Sequence, residues 1–149
     1  MTSSSAIAIL GGFFLVFSIV FLLLYVLLII AMWKIFSKAG ESGWKSLIPI
    51  YNVYIYFKIA GMKKYFWILV CSSIIVAIIQ SILGKEAAVS EIASSIFGII
   101  SCVFSIMHCF KLSKSFGKGI GYTLGLIFLP TIFTLILGFG SAEYIGSEE

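Results

Sequence analysis

The sequence lacks arginine and aspartate, and only 11% of its 149 residues are charged. Soluble proteins carry about 25% charged residues, and a chain this short that is 61% hydrophobic cannot hide its apolar surface from water. Arginine is the side chain that reads phosphates and bases through paired hydrogen bonds, so nucleic acid is not expected as a partner despite the net charge of +4. We therefore predict an all-α protein that is integral to a membrane.

Residues that bind metals or perform catalysis are also scarce. The three cysteines lie inside apolar runs, where we expect reduced, apolar filler roles. The one histidine, His108, precedes Cys109, but neighbouring residues on a helix point about 100° apart and make poor co-ligands. We interpret His108 as an interfacial residue bonded to Ser105 or to a loop carbonyl. Ser42 and Lys45 have the spacing of a serine–lysine enzyme motif without its companion motifs. We thus predict no metal, no cofactor and no catalytic site.

Long apolar runs predict four membrane-spanning helices, over residues 6–33, 65–83, 92–110 and 120–139. Trp33 and Lys34 at the end of the first run are typical interfacial anchors. Pro130, with Thr131 and Thr134 beside it, predicts a kink in the fourth span. No linker divides the chain, so we predict a single transmembrane domain over residues 1–149.

The stretch over residues 34–64 separates the first two spans and carries six of the ten lysines. It predicts a short helix over residues 44–60, which is re-set at Pro49 and ends at Gly61. The twelve residues from Pro49 to Ala60 would extend about 18 Å, well short of a bilayer core of about 30 Å. The helix is therefore expected not to cross, and it is either interfacial or re-entrant.

Lysine positions give the expected orientation. If residues 44–60 do not cross, nine of the ten lysines share one side of the membrane and Lys85 lies opposite. This is the positive-inside pattern of a cytoplasmic membrane, with four crossings and both termini outside. We expect a multi-pass protein of the bacterial cytoplasmic membrane.

Small and polar residues recur along one face of the second and third predicted spans. Spacings of three and four residues bring together Ser73, Ala77, Gln80 and Gly84 on the second, and Ser94, Gly98, Ser101, Ser105 and His108 on the third. Because small residues let helix backbones approach closely, we expect these two faces to pack together.

Two places are candidates for binding. A broken helix with an asparagine at membrane depth can line a cavity or contact a partner, which singles out Trp44, Lys45, Pro49, Tyr51 and Asn52. The polar residues of the second and third spans are candidates for the same cavity or partner contact: Gln80, Ser101, Ser105 and His108. The alternative is a structural wedge in which Asn52 bonds neighbouring backbone groups. A basic turn farther along the chain is a candidate contact for lipid phosphate through Lys114, Lys118 and Gly119.

Several spaced motifs resemble a family of small bacterial membrane proteins of unknown function. They are a Lys-Ala-Gly turn at residues 38–40, a Gly-Trp pair at residues 43–44, an Ile-Pro-Ile-Tyr-Asn run at residues 48–52 and a Lys-Ser-Phe-Gly-Lys-Gly turn at residues 114–119. The resemblance extends to a related module that is fused to some bacterial signal peptidases. The resemblance implies a polytopic fold and brings no activity with it.

These observations favour a non-enzymatic accessory, assembly or protective subunit that acts through helix–helix contacts. The alternative is an oligomeric channel or transporter subunit that uses the broken helix at residues 49–52. The expected partners are anionic lipid headgroups and either another membrane protein or further copies of the chain.

Overall fold

A computed structural model of the protein describes residues 3–147, so two residues at each end of the predicted domain lie outside it. The described chain is helical and contains no strand. A 3₁₀ turn, Gly43–Leu47, precedes the second of its six α-helices. The helices are α1 (Ser3–Lys38), α2 (Pro49–Ile59), α3 (Lys63–Leu83), α4 (Ala88–Ser115), α5 (Ile120–Phe128) and α6 (Pro130–Phe139).

Three of these helices, α1, α3 and α4, are long and apolar enough to cross a bilayer. This indicates a membrane protein. The first and third extend beyond the predicted spans, since α1 continues to Lys38 and α4 covers Ala88–Ser115. The end of α1 follows the sequence pattern: Gly40 adopts a φ of +76°, and the Glu41 amide donates to the Phe36 carbonyl at 2.8 Å. Glycine takes this left-handed conformation without steric cost, which closes the helix.

Residues 41–59, the first hairpin, return to the end of the molecule where they begin. The Glu41 carboxylate accepts hydrogen bonds from Lys45 at 2.6 Å and from Lys58 at 2.7 Å. The two ends of the segment are therefore close enough for a pair of side chains to connect them. The distance between these ends is far smaller than the thickness of a bilayer core, which is about 30 Å. A second left-handed glycine, Gly61 with a φ of +71°, then directs the chain into α3.

Residues 120–139, the second hairpin, do not form the single kinked helix that the sequence predicts. The backbone breaks at Leu129, with φ −131° and ψ 59°, between α5 and α6. Tyr122 then donates its hydroxyl to the Phe133 carbonyl at 2.6 Å, and the two rings lie 5.0 Å apart. Residues eleven apart in a continuous helix are separated by about 16 Å, beyond the reach of tyrosine. α6 therefore folds back along α5, and a fourth helix of spanning length is missing from residues 3–147.

Both hairpins start and finish at one end of the molecule, which we call the lysine end because it holds Lys38, Lys58 and Lys118. After α6, the Ile145 amide donates to the Ser115 carbonyl at 2.8 Å. The Tyr144 hydroxyl donates to the Ile59 carbonyl at 3.0 Å. The Lys38 ammonium donates to the Leu137 and Gly140 carbonyls at 2.8 and 2.7 Å, so it caps the C-terminal end of α6.

The buried core lies toward the lysine end, where the hairpins pack between the long helices. Its buried apolar members come from α1, α2, α4, α5, α6 and the turns after α2 and α4, and they include Ile35, Phe36, Ile55, Ile59, Leu112, Phe116, Leu126 and Leu137. α1 packs on α6, on the 3₁₀ turn and on α2, whereas in the described residues it contacts neither α3 nor α4. Away from the lysine end, α1 and the α3–α4 pair are therefore separate.

Candidate functional site

The two hairpins meet at their tips around a cavity of about 350 Å³, which we call the tip cavity. Both prolines of the sequence, Pro49 and Pro130, line it. Side chains from α1 form one wall, and side chains from the hairpins form the rest: Tyr25, Leu28, Ile29 and Met32, then Ser46, Leu47, Asn52, Tyr56, Thr131 and Thr134. Helix starts from two separate hairpins thus meet at one open cavity.

Each proline is the first residue of the helix that leaves the cavity. Proline suits this position because its missing N–H has no intrahelical acceptor there and its φ already matches a helix. The residue before a proline is pushed out of the helical region, as seen at Ile48 (φ −94°, ψ 110°) and Leu129 (φ −131°, ψ 59°). Neither residue provides a side-chain cap. The N-terminal ends of α2 and α6 therefore both open onto the tip cavity.

Asn52 and Ser46 place uncompensated polar atoms at this cavity. The Asn52 amide nitrogen donates to the Ser46 carbonyl at 3.2 Å and lies 3.4 Å from the Met32 sulfur. This contact with a carbonyl oxygen fixes the orientation of the amide, because the opposite orientation would set two oxygens against each other. Asn52 Oδ1 and Ser46 Oγ are buried, and neither has a hydrogen-bond partner.

His108 joins α4 to the first hairpin and does not face the tip cavity. Its Nε2 lies 3.2 Å from the Tyr56 carbonyl, and its ring stacks on Phe57 at 4.5 Å. The expected partner was Ser105 or a loop carbonyl; the observed one is a helix carbonyl of α2, and Ser105 is exposed. Within residues 3–147, no group of three His, Cys, Asp or Glu side chains is arranged to hold a metal ion.

Three of the residues singled out around the broken helix lie outside the cavity lining. Trp44 is half-exposed, with 51% of its surface accessible. Lys45 pairs with Glu41 at 2.6 Å, and Tyr51 stacks on Tyr54 at 5.8 Å on the partly exposed side of α2. Pro49 and Asn52 are the members of that set that reach the cavity.

The small-residue faces of α3 and α4 meet only in part. Gln80 donates to the Ser94 hydroxyl at 2.8 Å, and Ser101 has a buried hydroxyl without a partner. The rest of the contact uses larger side chains, such as Tyr65 and Phe104, whose rings lie 5.2 Å apart. Much of the predicted small-residue face lies outside this contact, and it leaves exposed Ser73, Ala77, Gly98 and Ser105.

The predicted lipid-phosphate residues lie beside a second, larger cavity of about 760 Å³ at the lysine end. Lys111, Lys114 and Lys118 line it, and the chain after α6 covers one side with residues 145–147. The Lys114 ammonium also lies 5.3 Å from the centre of the Phe110 ring. Gly119 is not part of this lining; its carbonyl accepts a hydrogen bond from the Ser113 hydroxyl at 3.1 Å.

Sequence reasoning missed Ser46 and the contribution of Tyr25, and it assigned Thr131 and Thr134 to a kink. A usable signal was present. Each of the two prolines follows a large aliphatic residue and is followed, three or four positions later, by a polar residue: Asn52 after Pro49 and Thr134 after Pro130. Read as a repeated pattern, this indicates two similar hairpin tips.

Residues 44–147 match the model of a protein family of unknown function, DUF5684. The chain belongs to this family. The matched region begins at Trp44, so it contains residues 44–59 of the first hairpin, the whole of the second hairpin, α3 and α4, and it excludes α1. No curated protein and no solved structure matches the chain.

Proposed function

We propose that this protein is a non-enzymatic subunit of the bacterial cytoplasmic membrane that acts through helix–helix contacts with another membrane protein. The observation that carries the proposal is an outward-facing stripe on α4 formed by Ser95, Gly98, Cys102 and Ser105, all exposed. A Cβ added at Gly98 would have no atom of the described chain within 4 Å. Association in lipid depends on close packing at such small residues, which a purely lipid-facing helix does not need.

The unpacked part of α1 supports the same proposal. Its residues 9–24 are exposed on every side, and the wedge between α1 and the α3–α4 pair is not filled by the described chain. In the proposed assembly, a transmembrane helix of the partner packs against the α4 stripe. We assign the chain an assembly or protective role and no catalytic one.

Replacing Gly98 tests this proposal. We expect Gly98→Leu to abolish co-purification of the partner from bacterial membranes in mild detergent, because the leucine side chain separates the helix backbones. Ile99→Leu is the matched control, since Ile99 is 66% exposed and lies one residue away. Two differently tagged copies of the chain distinguish self-association from a foreign partner. Unchanged recovery with Gly98→Leu would contradict the proposal.

For the membrane topology we infer three crossings, by α1, α3 and α4. The four-crossing prediction, with both termini outside, rests on hydropathy over residues 120–139. The return of the second hairpin to the lysine end supports a tail on the lysine side, which the positive-inside rule assigns to the cytoplasm. We infer that the first hairpin is re-entrant and not interfacial in this arrangement. The cavity that it lines extends to Tyr25 and Leu28, within the predicted first span, and this supports the inference. The relation to signal-peptidase modules stays a prediction from the motifs.

Anionic lipid headgroups are the proposed ligands of the lysine-end cavity. Three lysines line it, and among residues 3–147 no acidic side chain does. A phosphate attracts clustered lysines at a membrane surface by about 1 kcal/mol for each lysine. Native mass spectrometry of the purified protein should show retained anionic phospholipid, and a Lys111→Gln, Lys118→Gln double variant should lose it.

A second candidate function is an oligomeric channel or transporter subunit, and the tip cavity favours it. Broken helices that meet inside a membrane are the usual setting for solute sites in transporters. Reconstitution in liposomes distinguishes the candidates: the subunit proposal expects no solute or ion flux, and the transport proposal expects a flux that Asn52→Leu blocks.

A further inference from the structure

We propose that the tip cavity binds a small organic carboxylate, held between the N-terminal ends of α2 and α6 and the side chain of Ser46. This inference goes beyond the partner-binding function, because a bound carboxylate requires no partner helix. It requires no transport either, since a site can bind a ligand without conducting it.

The first argument is the electrostatic character of the two helix starts. α2 has eleven residues and α6 has ten, and both begin at a proline on the cavity wall. The first backbone bonds recorded at these starts run from Asn52 to Ile48 at 2.7 Å and from Phe133 to Leu129 at 3.1 Å. The two amides after each proline therefore precede the intrahelical ladder. Among the residues that carry these amides, Thr131 lines the cavity, so its N–H is the candidate donor to an anion there. Each helix start carries about half a positive charge, and two such starts face one volume.

The second argument is independent of the helix ends. Ser46 lines the cavity and is 3% exposed, and its buried hydroxyl has no hydrogen-bond partner within residues 3–147. An unpaired buried hydroxyl costs about 1–3 kcal/mol, and a carboxylate oxygen would satisfy it. Asn52 Oδ1 is a buried acceptor without a donor. The best ligand therefore combines a carboxylate with a hydroxyl group, which donates to Asn52.

Charge and volume define the ligand class further. A charged side chain of either sign does not appear in the lining, so the helix ends are the source of positive potential. That potential suits a single negative charge better than a phosphate dianion, for which lysines would be expected. A cavity of about 350 Å³ is at the small end of ligand sites, which span about 300–1,000 Å³. A small hydroxy acid fits these requirements.

Calorimetric titration of the full chain in lipid nanodiscs tests the proposal, with L-lactate as the probe and propane-1,2-diol as its uncharged counterpart. We expect saturable binding of lactate and none of the diol. Ser46→Ala should weaken lactate binding roughly tenfold, because a hydrogen bond to a charged group is lost. It should leave the unfolding temperature unchanged or higher, because Ser46 Oγ has no partner within the fold. Ser81→Ala, which changes an exposed hydroxyl elsewhere on the molecule, should bind as the wild type does.

Three results would overturn the carboxylate site: no saturable lactate binding, equal binding of lactate and diol, or wild-type affinity in a folded Ser46→Ala variant. None of them bears on co-purification through Gly98, so the failure of this site and the failure of the partner proposal are distinguishable.

Discussion

The two hairpins have the same plan and different chemistry. Both place a proline at the start of the returning helix, and both finish at the lysine end. The first hairpin is polar, with an ion-paired base formed by Glu41, Lys45 and Lys58. The second is apolar, and its fold-back is secured by one hydrogen bond from Tyr122 and by close packing on α1. The comparison teaches that a segment need not be polar to turn back, since a backbone break and a few internal contacts suffice.

Membrane topology gives the largest expected effect, because labelling is all or none. In a variant without its native cysteines, a cysteine at the exposed Ser141 should react from the same side as one at Ser42, and from the side opposite to one at Lys85. The reason is that the second hairpin returns to the lysine end. Accessibility to a membrane-impermeant maleimide measures this. If the cysteines at positions 141 and 85 react from the same side, residues 120–139 cross the membrane. The second segment would then be a fourth span, whereas the first would remain a hairpin.

Removing the close approach of α6 to α1 should destabilise the second hairpin. A Cβ at Gly138 would lie 2.6 Å from the carbonyl oxygen of Ala31 and 2.7 Å from the Cα of Ala31. The backbone of α1 or α6 would have to move to relieve this contact. We expect Gly138→Ala to lower the free energy of unfolding by about 1–3 kcal/mol, measured in mixed detergent micelles. Gly98→Ala is the control, because a Cβ there meets nothing within 4 Å. Equal effects of the two changes would show that the α1 contact does not hold this hairpin.

Tyr122→Phe removes the hydrogen bond that crosses the second hairpin. The Phe133 carbonyl would lose a donor at 2.6 Å, and we expect a loss of about 1–2 kcal/mol in the same assay. Tyr51→Phe in the first hairpin is the matched control, since no hydrogen bond of the Tyr51 hydroxyl is seen in residues 3–147. If Tyr122→Phe is neutral, the backbone break at Leu129 alone accounts for the fold-back.

The smallest expected effect concerns acid. Hydrogen bonds from Lys45 and Lys58 hold the pKa of Glu41 below its ordinary value of 4.5. The ion pairs therefore stabilise the first hairpin fully above that value and lose their contribution as the pH falls through the lowered pKa. Half of the Lys58 side chain is exposed, so the change should be roughly 1 kcal/mol or less. Unfolding measured between neutral and acidic pH should show it, and Glu41→Gln should remove that part of the pH dependence.

The first hairpin was predictable and the second was not. Lysines, an asparagine and a length of about 18 Å showed that residues 44–60 make a poor crossing. Residues 120–139 are apolar and just long enough to span, so hydropathy cannot tell one crossing helix from two short ones. The difference depends on the backbone of Leu129 and on a contact between Tyr122 and Phe133, neither of which has a periodic signature. The same limit applies to the tip cavity, because its lining comes from α1 and both hairpins and only proximity in the fold unites them.

The separation of α1 from α3 and α4 gives the surrounding lipid a mechanical role. Where no partner helix is bound, we expect acyl chains of the leaflet opposite the lysine end to fill the wedge between them, so that their length acts on the tilt of α1. Tyr25 and Leu28 move with that helix, and they form one wall of the space between the hairpin tips. We expect thin and thick bilayers to give different distances between spin labels on α1 and α4, and an unchanged distance would show that the wedge is rigid.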